Sequence, residues 1–69
     1  MNPPAERHRH AADTHDEAAA RHDQAAEHWT ARGEEERAEL EHRNADLERK
    51  AAQLERDKAA LAADRRNGG

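Results

Sequence analysis

The stretch Ala26-Glu27-His28-Trp29-Thr30-Ala31-Arg32-Gly33-Glu34-Glu35-Glu36-Arg37-Ala38 decides the fold. Gly33 is the only helix breaker between Pro4 and Asn67, and a glycine costs about 1 kcal/mol relative to alanine inside a helix. Three glutamates follow it at once, which suits the positive N-terminal end of a new helix. Outward from the break, Asn2-Pro3-Pro4 reads as a helix start and Asn67-Gly68-Gly69 as a stop. The expectation is one helical domain over residues 1–69, with a helix over 4–31, a turn at 32–33 and a helix over 34–66.

Composition sets the all-α class. Of 23 apolar residues 17 are alanine, and the rest are four leucines, Trp29 and Met1. Valine, isoleucine, phenylalanine and tyrosine are absent, so the chain has almost no residues that favour strands. The dominant residues are the strongest helix formers. Favourably ordered pairs such as Glu17–Arg21, Glu39–Arg43 and Asp46–Lys50 add support four residues apart. A chain this short has little capacity to bury a core, so a homo-oligomer or a partner helix is expected to complete it.

Two kinds of apolar row run along the chain. Leu40, Leu47, Leu54 and Leu61 recur every seven residues, as one core position of a coiled coil does. The companion positions are Arg37, Asn44, Ala51 and Lys58. A single polar Asn44 there can fix register in a parallel dimer. The interface read from this row is Leu40, Asn44, Leu47, Ala51, Leu54 and Leu61. In a parallel pair Arg43 would face Glu48 of the other chain and Lys50 would face Glu55, while Glu36 would face Glu41 unfavourably. Antiparallel pairing would gather Glu41, Glu48 and Glu55 of both chains, so parallel association is expected.

The second row is alanine. Ala38, Ala45, Ala52 and Ala59 repeat at seven, as do Ala11/Ala12, Ala18/Ala19 and Ala25/Ala26 before the break. At about 100° per residue the later row lies about 140° around the helix from the leucines. Small side chains on both segments permit close antiparallel packing of one helix on the other.

Around the break, Ala26, Trp29, Gly33, Ala38 and Ala45 resemble the tetratricopeptide hairpin in their spacing. In that family a small residue, an aromatic, a turn glycine and two alanine positions hold two antiparallel helices together. The resemblance spans about 20 residues of the motif. His22 and Ala25 stand where the motif prefers Trp and Leu, and no second repeat follows. It therefore implies a hairpin and not a peptide-binding groove. The fold expected is a two-helix antiparallel hairpin, assembling as a coiled-coil or four-helix dimer. The alternative is one continuous helix in a parallel coiled coil, because Ala12, Ala19, Ala26, Gly33, Leu40, Leu47, Leu54 and Leu61 keep one heptad register through the break.

Six histidines are many for this length, and His8, His15 and His22 are seven apart, with Trp29 continuing the series. Asp16 and Asp23 follow His15 and His22. Imidazole with carboxylate suits zinc or nickel, which makes His15, His22, Asp16 and Asp23 the metal candidates. No two histidines have the spacing of four that a helical chelate uses, so no firm site is read and no cofactor is expected. Protonating all six would move the formal charge from −4 to +2. If His15 and His22 border the helix interface, acid is expected to loosen it.

Other classes are excluded on residues. There is no serine, cysteine, glycine-rich phosphate loop or apolar pocket to support catalysis. The net charge of −4 is shared evenly by the two halves, which opposes phosphate binding. A likeness to basic-region zippers fails because His15 and Asp23 hold the positions of that family's Asn and Arg. No apolar run reaches membrane-span or signal-peptide length, so no membrane partner and a cytoplasmic location are expected. The function expected is protein–protein association as an adaptor, regulator or assembly factor, with His-mediated metal binding or pH response as the alternative.

Overall fold

The computed structural model describes residues 3–68, with side chains described for 3–65. The described residues form two helices, α1 (Pro3–Ala31) and α2 (Glu35–Gly68). They lie antiparallel in an extended hairpin measuring 55 × 15 × 9 Å between Cα atoms. A continuous helix of about 62 residues would reach roughly 90 Å at 1.5 Å per residue, so the single-rod alternative is overturned. Heptad continuity through Gly33 reflects the spacing of two separate rows.

The reversal is built into the backbone at Gly33, whose φ of +76° is the left-handed conformation that L side chains avoid. The carbonyls that α1 leaves unpaired are capped around it. Glu34 N–H donates to Trp29 O at 2.9 Å, and Gly33 N–H donates to Thr30 O at 2.9 Å. This is the paired bonding of a glycine-terminated helix. Glu34 then caps the next helix, its carbonyl accepting from Ala38 N–H at 3.1 Å.

The expected bounds shift slightly. α1 begins one residue earlier, at Pro3, where a proline's missing N–H costs nothing in the first turn. α2 begins at Glu35, because Glu34 serves as the cap. It also runs through Asn67 into Gly68, past the expected stop at Arg66. The Asn2 cap and the Gly69 stop lie outside the described residues.

What holds the hairpin together is alanine. Ala5, Ala12, Ala19 and Ala26 of α1 and Ala38, Ala45, Ala52 and Ala59 of α2 are buried, none more than 3 % exposed. They are the only buried hydrophobic residues among those described, and no polar residue is buried with them. A methyl is the smallest side chain that still removes apolar surface from water, and two facing rows of them let the helices approach closely. The leucines of α2 are on the other side of that helix, away from α1. Of the two apolar rows on α2, the smaller one became the core.

Candidate functional site

The outer face of α2 is the first feature that could act on another molecule. Leu40, Leu47, Leu54 and Leu61 are 57, 62, 55 and 53 % exposed, and they run the length of the helix. Asn44 beside them is exposed and Ala51 half-buried. The charges flanking the stripe have neighbours within the chain. Arg43 pairs with Glu39 at 3.5 Å, and Lys58 with Glu55 at 3.4 Å. Arg37 pairs with Glu34 at 3.4 Å and lies over the Trp29 ring at 4.8 Å.

The second feature is the pair of polar rows that border the alanine seam. On one flank three histidines of α1 meet three glutamates of α2. His8 Nδ1 lies 2.7 Å from Glu55 Oε2, His15 Nδ1 lies 3.1 Å from Glu48 Oε2, and His22 Nδ1 lies 3.4 Å from Glu41 Oε2. Each step of seven along α1 is answered by a step of seven back along α2, the signature of two antiparallel heptad rows in register. On the other flank Asp16 accepts from Arg56 at 2.5 Å, with Asp13 at 3.4 Å, and Asp23 accepts from Arg49. His42 Nδ1 also approaches Asp23, at 3.3 Å.

The two flanks differ electrostatically. Arg56 is held above its ordinary value, first by Asp16 and against the opposing effect of burial. The Asp23 carboxyl is held below the usual range, first by its bond from Arg49 and then, against burial, by His42. Glu55 is held below its usual value, first by His8 and then, against burial, by Lys58. The aspartate flank is thus held chiefly by arginine ion pairs, with His42 beside Asp23. The glutamate flank depends on imidazoles whose charge changes with pH.

The metal candidates are drawn apart by these pairings. His15 and His22 each face a glutamate, whereas Asp16 and Asp23 face arginines on the opposite flank. Among the described residues no three histidine, aspartate or glutamate side chains converge as a metal site would require. The hairpin residues Ala26, Ala38 and Ala45 lie in the seam, and Gly33 forms the turn. Trp29 is half-buried at the turn, with His28 edge-on at 5.1 Å and Arg32 and Arg37 near its ring.

Glu41, Glu48, Glu55, Arg49 and Arg56 are the cross-helix partners that sequence reasoning did not assign. A signal was present: Glu41, Glu48 and Glu55 recur at seven, as do His8, His15 and His22. The heptad reading turns these glutamates toward a second chain, and the structure gives all three partners within the hairpin. No described helix is long and apolar enough to cross a membrane. Compared with protein-family models, curated proteins and solved structures, the chain matches none.

Proposed function

We propose that this protein is a small non-enzymatic association module, and that its partner is a second copy joined through the leucine stripe of α2. The observation that carries the reading is four leucines, each more than half exposed, in one straight heptad row on a helix whose other apolar row is already buried. Contiguous exposed apolar surface rimmed by charge is the mark of an interaction surface.

Charge favours a copy of the same chain in parallel. Arg43 of one chain would meet Glu48 of the other, and Lys50 would meet Glu55, with Asn44 at a core position to fix register. Glu48 meets His15 through Oε2, and a carboxylate has a second oxygen for another donor. Glu36 opposite Glu41 opposes the pairing at one end. Because the stripe faces away from α1, the second copy would join helix α2 to helix α2, with each α1 outside. The expected four-helix dimer is then a layer, not a bundle around a common core.

Sedimentation equilibrium of the wild type and of a Leu47→Asn, Leu54→Asn variant tests the proposal. The wild type is expected at twice the 7.8 kDa chain mass, and the variant at the single-chain mass with its helical circular dichroism kept. A wild type that stays single at every concentration would overturn self-association. A variant that keeps the double mass would show that the leucines are not the interface. If the wild type is single but binds an isolated amphipathic helix, the partner is another protein.

A further inference from the structure

The histidine–glutamate flank has a chemical property that the aspartate–arginine flank lacks. Neutral imidazole carries one N–H and one lone pair, and a carboxylate facing Nδ1 selects the tautomer with the proton there. The three rungs are then neutral-to-anion hydrogen bonds at neutral pH. On protonation the second nitrogen gains its proton and the ring becomes a cation. Each rung then joins a cation to an anion, adding an ion pair to a bond that the carboxylate already makes charge-assisted. In an opened chain the same imidazoles would stand apart from these glutamates, in water.

From this geometry we infer that the hairpin is a proton-responsive clasp, which tightens in mild acid as His8, His15 and His22 become charged against Glu55, Glu48 and Glu41. The direction is opposite to the loosening expected if protonation brought like charges together at the seam. Like-charge repulsion would loosen an interface whose histidines faced cations, but these face carboxylates on the opposing helix. Among the described residues the buried side chains of the seam they border are all alanine, so the polar flanks weigh more in holding it than they would beside a core of large side chains.

The surrounding charges differ from one histidine to the next. His15 and His22 each face a single glutamate. His8 faces Glu55, which also accepts from Lys58 of its own helix, so its gain is partly shared. His42 faces Asp23, already bonded by Arg49, and a second cation there gains less. His28 opposes the trend, since its ring and the Arg32 and Arg37 guanidinium groups all lie against Trp29. His10 has no carboxylate within ion-pair distance among the described residues. The net response therefore comes from the three rungs in the seam.

The acid limit follows from the carboxylates. Glu55 is held below its ordinary value in the hairpin, so its stabilising effect is present above the ordinary carboxylate range and is lost as pH falls through the lowered value. Asp23 behaves likewise. Stability should therefore rise from neutral pH into the histidine range and fall again once the carboxylates take up protons. The clasp does not depend on the leucine stripe, and recording chain mass alongside stability separates a failure of one from a failure of the other.

The test is thermal unfolding followed by circular dichroism at fixed protein concentration, at steps between about pH 7.5 and 5.5, the range in which histidine changes charge. The expected result is a midpoint that climbs by several degrees as pH falls. A His8→Gln, His15→Gln, His22→Gln variant should lose the climb. A Glu41→Gln, Glu48→Gln, Glu55→Gln variant keeps every histidine and should lose it as well, which guards against one set simply folding poorly. A His10→Gln, His28→Gln variant should keep it. A wild-type midpoint that falls or stays level over this range would overturn the inference. So would a climb that survives removal of the three rungs, or one abolished by replacing His10 and His28, since net charge would then be the cause.

Discussion

The two apolar rows of α2 invite comparison because they share one helix, one spacing and nearly one length, yet have opposite fates. Ala38, Ala45, Ala52 and Ala59 are sealed against α1, while Leu40, Leu47, Leu54 and Leu61 remain more than half exposed. Hydrophobicity alone would bury the leucines. The facing surface of α1 decides otherwise, since its only continuous apolar rows are alanines, and methyl against methyl lets two backbones come close enough for the flanking His–Glu and Asp–Arg rows to meet. Leucine in the same seam would hold the helices apart and part those rows. The inner row is thus shaped for its own chain, and the outer row is left for another molecule.

Enlarging the inner row should break this comparison most severely. Ala19→Leu combined with Ala45→Leu forces bulk into a seam built for methyls, and overpacking costs about 1–3 kcal/mol per site. The expected result is an opened hairpin, seen as a lost or strongly lowered thermal transition and a longer particle in solution. Next in size is Gly33→Ala. Apart from Gly33 and its two chain neighbours, no described atom lies within 4 Å of where the added methyl would sit, so the effect is backbone strain at φ +76°. About 1–2 kcal/mol of destabilisation is expected from forcing an L residue into that region, measurable by urea unfolding.

Acid comes third and sharpens the contrast between the two flanks. Below the ordinary carboxylate range the wild type should lose stability as Glu55 and Asp23, both held low in the hairpin, take up protons. Glu55→Gln and Asp23→Asn should each make that acid limb shallower in a thermal midpoint series. The smallest effect belongs to the outer row. Leu47→Gln, studied at a dilution where only single chains are present, should change hairpin stability by less than about 0.5 kcal/mol. A larger loss would mean that the leucines support the hairpin itself.

Much of this architecture was legible in the sequence. The scarcity of strand-forming residues pointed to helices, and Gly33 followed by three glutamates marked the turn. The alanine repeats were visible too, but so was an unbroken heptad register from Ala12 to Leu61, which argued for a rod. A heptad records which residues share a face of one helix and says nothing of how far two helices slide past each other. That offset is set by the turn at Gly33, and it brings His15 to Glu48 where the sequence alone had offered Glu48 to Arg43 of another chain. The number and spacing of the histidines offer metal candidates without a firm site, and a response to acid if His15 and His22 border an interface. Their partners lie 19, 33 and 47 residues away, beyond any local pattern.

The most direct test of the account is small-angle X-ray scattering at neutral pH, with mass taken from the forward scattering. The account predicts a particle of two 7.8 kDa chains whose length stays close to that of one hairpin, 55 Å between Cα atoms, because parallel α2 helices lie side by side. A two-chain rod of about 90 Å, the length of a continuous helix, would contradict the alanine-sealed hairpin. A single-chain particle of hairpin length would contradict self-association through the leucine stripe.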